Sequence, residues 1–228
     1  MLKNPFSSLK KQDYILWIIS LIIVGVSGLL TPDKNAVTII GTLTGVTALI
    51  FLAKGNVWGQ ILTIVFSVFY SITSYTFSYY GEMITYLGMT LPTAAAAVVT
   101  WVKNPYEKGK NVVKIHRLTK RQIILMIILT IIVTLLFYFI LKFFNTANLF
   151  WSTVSITTSF LASYLMVCRN SYYAVAYAAN DIVLILLWIL ASINNISYLP
   201  MVMCFLAFLA NDIYAFINWK KREKKQKI

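Results

Sequence analysis

Asp181 stands inside an otherwise apolar stretch, in a run with Tyr173, Tyr177, Asn180, Leu184 and Trp188. Steps of three and four residues place these side chains on one face of a helix. The face mixes flat rings with an amide and a carboxylate. A small solute with a planar ring and polar edges would be served by both, rings to stack on and donors and acceptors for its polar groups. A carboxylate at the centre of a membrane helix costs about 2.5–3.5 kcal/mol to insert and marks a functional site by default, the structural alternative being a carboxyl bonded to neighbouring helices. Asn211 and Asp212 repeat the amide and carboxylate pairing in the last apolar run, where substrate contact, packing and gating are all open readings. A third polar face carries Gln60, Thr63, Ser67, Tyr70, Ser71, Ser74 and Ser78. Hydrocarbon offers such a face no hydrogen-bond partners, so it must look toward protein or a water-filled cavity. The serines suit close helix packing, whereas Gln60 and Tyr70 are large enough to reach a solute. The candidate substrate-binding residues are Gln60, Ser67, Tyr70, Tyr173, Tyr177, Asn180, Asp181, Trp188, Asn211 and Asp212.

Little else in the chain supports catalysis. His116 is the single histidine and lies in a basic loop, so neither a metal cluster nor a histidine-based catalytic group is expected. No phosphate-binding glycine run of the P-loop type occurs, which argues against ATP hydrolysis. No catalytic residue, metal or cofactor is expected. Cys168 and Cys204 have no paired spacing and read as small apolar fillers.

The elements that hold these residues are membrane spans. The 228 residues are 59% hydrophobic and 12% charged, which leaves too much apolar surface for a soluble domain. Eight apolar runs are long enough to cross a bilayer, at about 14–30, 36–53, 57–79, 82–102, 122–144, 148–167, 172–193 and 197–218. The first reads as a retained helix rather than a cleaved signal peptide. The reading is one membrane domain over 1–228, with both termini in the cytoplasm of a plasma-membrane protein. Its support is the charge distribution: eighteen basic residues fall on that side, including Lys3, the cluster from Lys103 to Arg121 and the tail 220–228, against Lys34 and Lys142 on the other. This asymmetry accounts for the net charge of +13 without a nucleic-acid partner. The bilayer is the partner that it implies.

The spans fall into two similar sets. At an offset of 114, Gly41-Thr-Leu-Thr-Gly45 aligns with Ser155-Ile-Thr-Thr-Ser159, the junction Lys54-Gly-Asn56 with Cys168-Arg-Asn170, and Ser67 with Asp181. The last helix of each set closes on a tryptophan and basic residues, Trp101-Val-Lys and Trp219-Lys-Lys. Repeat one covers about 37–102, repeat two about 151–219, and a connector helix of about 122–144 lies between. Three spans per copy plus one connector return the second copy to the same orientation, a 3+1+3 plan of parallel repeats preceded by one extra helix. Such a plan points to a small-solute transporter, and it should bring the polar faces of the third and seventh spans together near the axis between the copies. Pro92, followed by small residues, is a hinge candidate. Trp101 and Trp219 are expected to anchor at the headgroups.

The two-copy plan, Arg169-Asn170 at a junction, Asn180-Asp-Ile-Val-Leu-Ile-Leu-Leu-Trp188 and Asn211-Asp-Ile-Tyr-Ala-Phe-Ile-Asn-Trp219 together resemble the PnuC family of vitamin transporters over nearly the whole chain. The resemblance implies a fold similar to the SWEET sugar transporters with one added helix. It also implies facilitated uptake of nicotinamide riboside, a separate cytoplasmic kinase that traps the substrate, and a homotrimer. Family members that carry nicotinamide riboside have a Trp-x-x-Trp-x-x-x-Asn pattern in the seventh span. Here Tyr173 and Ala176 stand at the two tryptophan positions and Asn180 is retained. Related substrates, namely deoxynucleosides, thiamine and riboflavin, are the alternatives, with a membrane receptor or an intramembrane enzyme further off.

Overall fold

The computed structural model describes residues 4–30, 36–76, 80–107, 111–146 and 148–226; Lys3, Lys34, Ser78, residues 108–110 of the basic cluster and Lys227 lie outside the described residues. The described chain is helical, with no strand beyond two isolated β-bridges in the basic loop. A short 3-10 turn precedes α1 (Lys11–Leu30), followed by α2 (Ala36–Ala53) and α3 (Val57–Thr76). Next come α4 (Tyr80–Thr85), a π turn (Tyr86–Thr90) and α5 (Leu91–Lys103), which form one continuous span. The chain then runs through α6 (Lys120–Phe143), α7 (Leu149–Val167), α8 (Tyr173–Asn194) and α9 (Leu199–Lys225). Eight helices among the described residues are thus long and apolar enough to cross a bilayer. Helix is the form such a sequence must take there, because each backbone N–H and C=O finds its partner within the segment.

The ends of two runs differ from expectation. The fourth span begins at Tyr80, so Glu82 lies in its first turn inside the helix, and the last helix continues through Lys225, beyond 218, carrying much of the basic tail as ordered helix. The π turn ends two residues before Pro92, and the Leu91 N–H bonds to Tyr86 O rather than to the carbonyl four residues back. In a regular α-helix the Pro92 ring would collide with the carbonyl of Gly88, four residues before it, and the wider turn relieves the conflict.

α2 packs against α3, α1 and α9, while α8 packs against α7 and α9; α3 and α7 both contact α5. α6 packs on α7 and leaves Ile124, Ile127, Ile131, Leu135 and Phe139 exposed, an apolar surface for lipid. A capping box between Thr119 and Gln122 fixes its start. α1 is held by buried polar contacts: Asp13 pairs with Lys54 at 2.9 Å and accepts from the Tyr214 hydroxyl, and Asn211 Nδ2 donates to Ser20 Oγ at 3.0 Å.

The turns after α2 and α7 are built alike. Asn56 N–H bonds to Phe51 O and Gly55 N–H to Leu52 O; Asn170 N–H bonds to Leu165 O and Arg169 N–H to Met166 O. Both sets are the paired bonds of a Schellman cap, with Gly55 at φ 61° and Arg169 at φ 60° in the left-handed position. The side chains of Asn56 and Asn170 then accept from the N–H two residues on and start the next helix. Glycine is required at 55 on two counts, since a Cβ there would also lie 2.0 Å from Arg222 Nη1. That guanidinium donates to Lys54 O and Val113 O and ties α9 to the turn and the basic loop.

Trp101 and Trp219 are not headgroup anchors. Both are fully buried, their rings 5.6 Å apart. Trp101 Nε1 donates to Met166 O at the end of α7, and Trp219 Nε1 donates to Leu52 O at the end of α2. Leu52 O and Met166 O already accept the cap N–H of Gly55 and Arg169, and each indole adds a further donor to the carbonyl from across the bundle. This outweighs the pull of the interface.

Candidate functional site

A cavity lies within the bundle, walled by α2, α3, the π turn, α7, α8 and α9. Gln60, Thr63 and Phe66 come from α3, Tyr86 and Thr90 from the π turn, and Tyr177, Asn180 and Asp181 from α8. α9 contributes Phe205, Phe208 and Asp212, and α7 contributes Ser159 and Met166. Gly45 of α2 completes this wall at a close approach: a Cβ would meet Phe208 Cζ at 2.7 Å and Phe66 Cδ2 at 2.9 Å, so its absence lets both rings close on the cavity.

The cavity's polar side chains are buried and incompletely paired. Gln60 is 2% exposed, Asp181 3% and Asp212 3%. Gln60 Nε2, Thr90 Oγ1 and Asp181 Oδ2 have no hydrogen-bond partner among the described residues. Such groups cost about 1–3 kcal/mol each when left unpaired, so a built cavity that presents three of them is suited to a polar solute. Asn180 Oδ1 accepts from Thr158 Oγ1 at 2.9 Å and from Ser155 Oγ at 3.3 Å. That fixes the amide with its NH2 group left over for the cavity. The Tyr177 hydroxyl is held by Ser163 at 3.0 Å. Asp181 and Asp212 lie within electrostatic reach of one another, so two carboxyls from separate spans converge at one depth, a meeting that the sequence did not indicate.

Of the candidate residues, Gln60, Tyr177, Asn180, Asp181 and Asp212 line the cavity and the others do not. Tyr173 and Trp188 share the predicted face of α8 but are roughly 22 Å apart along its axis, too far to touch one small molecule together. Tyr173 donates to Leu52 O and packs on Trp219, 4.8 Å between ring centroids, at the basic end of the bundle. Trp188 packs against Tyr198 toward the opposite end. Tyr70 stands behind the wall with its ring centroid 4.1 Å from that of Tyr86. Ser67 is buried and returns its hydroxyl to Thr63 O, and Asn211 is engaged with Ser20. The polar faces of α3 and α8 therefore meet across the cavity through Gln60 and Thr63 rather than through Ser67.

The π turn escaped the sequence reading, although Glu82, Tyr86 and Thr90 recur every four residues in plain sight. Ser159 was legible too, standing opposite Gly45 at the offset of 114, and both line the cavity. Outside the spans, burial pushes the Cys168 thiol up, which keeps it protonated and unreactive at neutral pH.

The profile of a family described as nicotinamide mononucleotide transporter matches residues 35–221. The nicotinamide riboside transporter PnuC of Neisseria mucosa is 26% identical over 199 residues, 85% of this chain and 75% of that protein. Its counterpart from Haemophilus influenzae is 23% identical over 225 residues, 98% and 96% of the two chains. A crystal structure of the vitamin B3 transporter PnuC superposes with a TM-score of 0.81 at 24% identity, covering 96% of this chain and 94% of that one.

Proposed function

The chain belongs to the nicotinamide mononucleotide transporter family, that of the PnuC proteins, and from that premise we propose that it mediates facilitated uptake of nicotinamide riboside across the plasma membrane. The observation that carries this reading is the cavity itself, where two carboxyls, two primary amides and a set of aromatic rings converge inside a membrane bundle. The nicotinamide ring of the riboside is a planar cation. Asp181 and Asp212 supply countercharge, and Phe66, Tyr86, Tyr177, Phe205 and Phe208 supply faces for stacking and cation–π contact. Gln60 Nε2 and the amide of Asn180 are available to the carboxamide and the ribose hydroxyls.

The substrate gradient drives the flux. A separate cytoplasmic kinase maintains it by phosphorylating what enters. Both termini face the cytoplasm, consistent with the basic end formed by the 104–119 loop and the end of α9. The spans are arranged as 3+1+3 parallel repeats after α1, a reading supported by the matching turns after α2 and α7 and by the crosswise tryptophan bonds. Three copies assemble as a trimer, as in the resemblance drawn from the sequence.

Uptake by proteoliposomes of radiolabelled nicotinamide riboside, thiamine, riboflavin and a deoxynucleoside, measured in parallel, tests the reading. Nicotinamide riboside should enter down its gradient, and Asp181→Asn should weaken its uptake by about tenfold or more through loss of the charge contact. Entry of the neutral deoxynucleoside in its place, indifferent to Asp181→Asn, would assign the cavity to neutral nucleosides. Absence of uptake for all four compounds would overturn the transporter reading.

A further inference from the structure

Glu82 has no role in the cavity just described, yet it is 8% exposed inside a membrane span. No hydrogen bond or ion pair holds it among the described residues. A buried carboxylate in that setting is costly and is kept for a reason. Glu82, Tyr86 and Thr90 follow one another at intervals of four, so they share one face of the α4, π turn and α5 span. Tyr86 and Thr90 line the cavity. Glu82 therefore sits one turn farther along the same face, about 6 Å nearer the end of the bundle opposite the basic loop. It lies within electrostatic reach of both Tyr70 and Tyr86, and Tyr86 is also within reach of Asp181. Tyr86, backed by the Tyr70 ring at 4.1 Å, is thus within reach of one carboxylate outside the cavity and another within it.

We infer that Glu82, with the ring of Tyr86, forms a second site for planar organic cations, through which the substrate passes before it reaches Asp181. The site rests on the reading of this chain as a carrier of a cationic riboside. It selects for positive charge at entry, ahead of the contacts that recognise the base and the sugar. The passing cation satisfies the otherwise unpaired carboxylate, and Tyr86 serves both sites.

The test uses the full-length protein in proteoliposomes, with nicotinamide riboside and its reduced dihydro form, which has nearly the same shape but no ring charge. Wild type is measured first; if it carries neither compound, the transport reading fails and this inference falls with it. Where wild type carries nicotinamide riboside, Glu82→Gln should raise its half-saturating concentration about tenfold and leave uptake of the dihydro form within about twofold. Glu82→Asp should restore most of the preference for the cation. An unchanged ratio of charged to neutral uptake in Glu82→Gln overturns the second site alone. Equal loss of both compounds does so as well, since it marks Glu82 as a structural residue.

Discussion

At the scale of single residues, the chemistry of this protein resides in side chains that are buried and only partly satisfied. Gln60 shows the principle most simply: its Nε2 is buried against the cavity without a partner among the described residues, whereas Ser67, two turns further along the same face, is bonded to its own helix. Gln60→Leu should therefore raise the half-saturating concentration of the substrate about tenfold, read from uptake curves, while leaving the melting temperature unchanged or higher because a buried unpaired amide is removed. The sequence singled out Gln60, Asn180, Asp181 and Asp212 because polar residues in apolar runs are conspicuous. It could not separate them from Ser67, Tyr70 and Asn211, since periodicity gives a face but not which stretch of that face meets a cavity. Tyr173 illustrates the limit: it shares a face with Asp181, yet its hydroxyl caps the end of α2. Its position in the seventh-span pattern is thus, in this structure, at the basic end of the bundle and away from the cavity wall.

At the scale of elements, the turns carry as much specification as the spans. The turn after α2 needs a residue at φ 61° that also leaves room for Arg222, and only glycine meets both demands. Gly55→Ala should lower stability by more than the roughly 1 kcal/mol of a left-handed alanine, because the added methyl also displaces the guanidinium that bonds Lys54 O and Val113 O. Thermal unfolding in detergent would measure the loss. In the reverse direction Arg169→Gly should be neutral or slightly stabilising, since Arg169 occupies the same backbone conformation at the end of α7 with one long side-chain bond, 3.4 Å to Lys114 O. The span from Tyr80 to Lys103 was legible as one apolar run with a proline. Its π turn was not, because the wider turn is the response of the helix to Pro92 within its packing on α3 and α7, and no residue type encodes it alone.

At the scale of the whole molecule, the basic end of the bundle is fastened crosswise, Trp101 to the end of α7 and Trp219 to the end of α2. The cavity beyond holds about 60 Å³, well below the roughly 300–1,000 Å³ of sites that enclose drug-sized ligands. Walls must therefore move apart for a nucleoside to occupy it, and the tryptophan clasps lie where such movement would be resisted. The double substitution Trp101→Phe with Trp219→Phe should lower the melting temperature, at about 1 kcal/mol for each lost bond, and change the maximal uptake rate more than the half-saturating concentration, the opposite pattern to Gln60→Leu. By itself the amino-acid sequence determined the all-helical membrane architecture, the number of spans and the junctions, because an apolar run of sufficient length has one outcome in hydrocarbon and an αL-capped turn has few. The tertiary structure alone decided where the spans leave a cavity, which carboxyls converge in it, that Tyr86 lines it with Glu82 one turn away, and that two tryptophans face inward. Those are distances between segments far apart in the chain, set by how apolar faces pack, and a helical period carries no record of them.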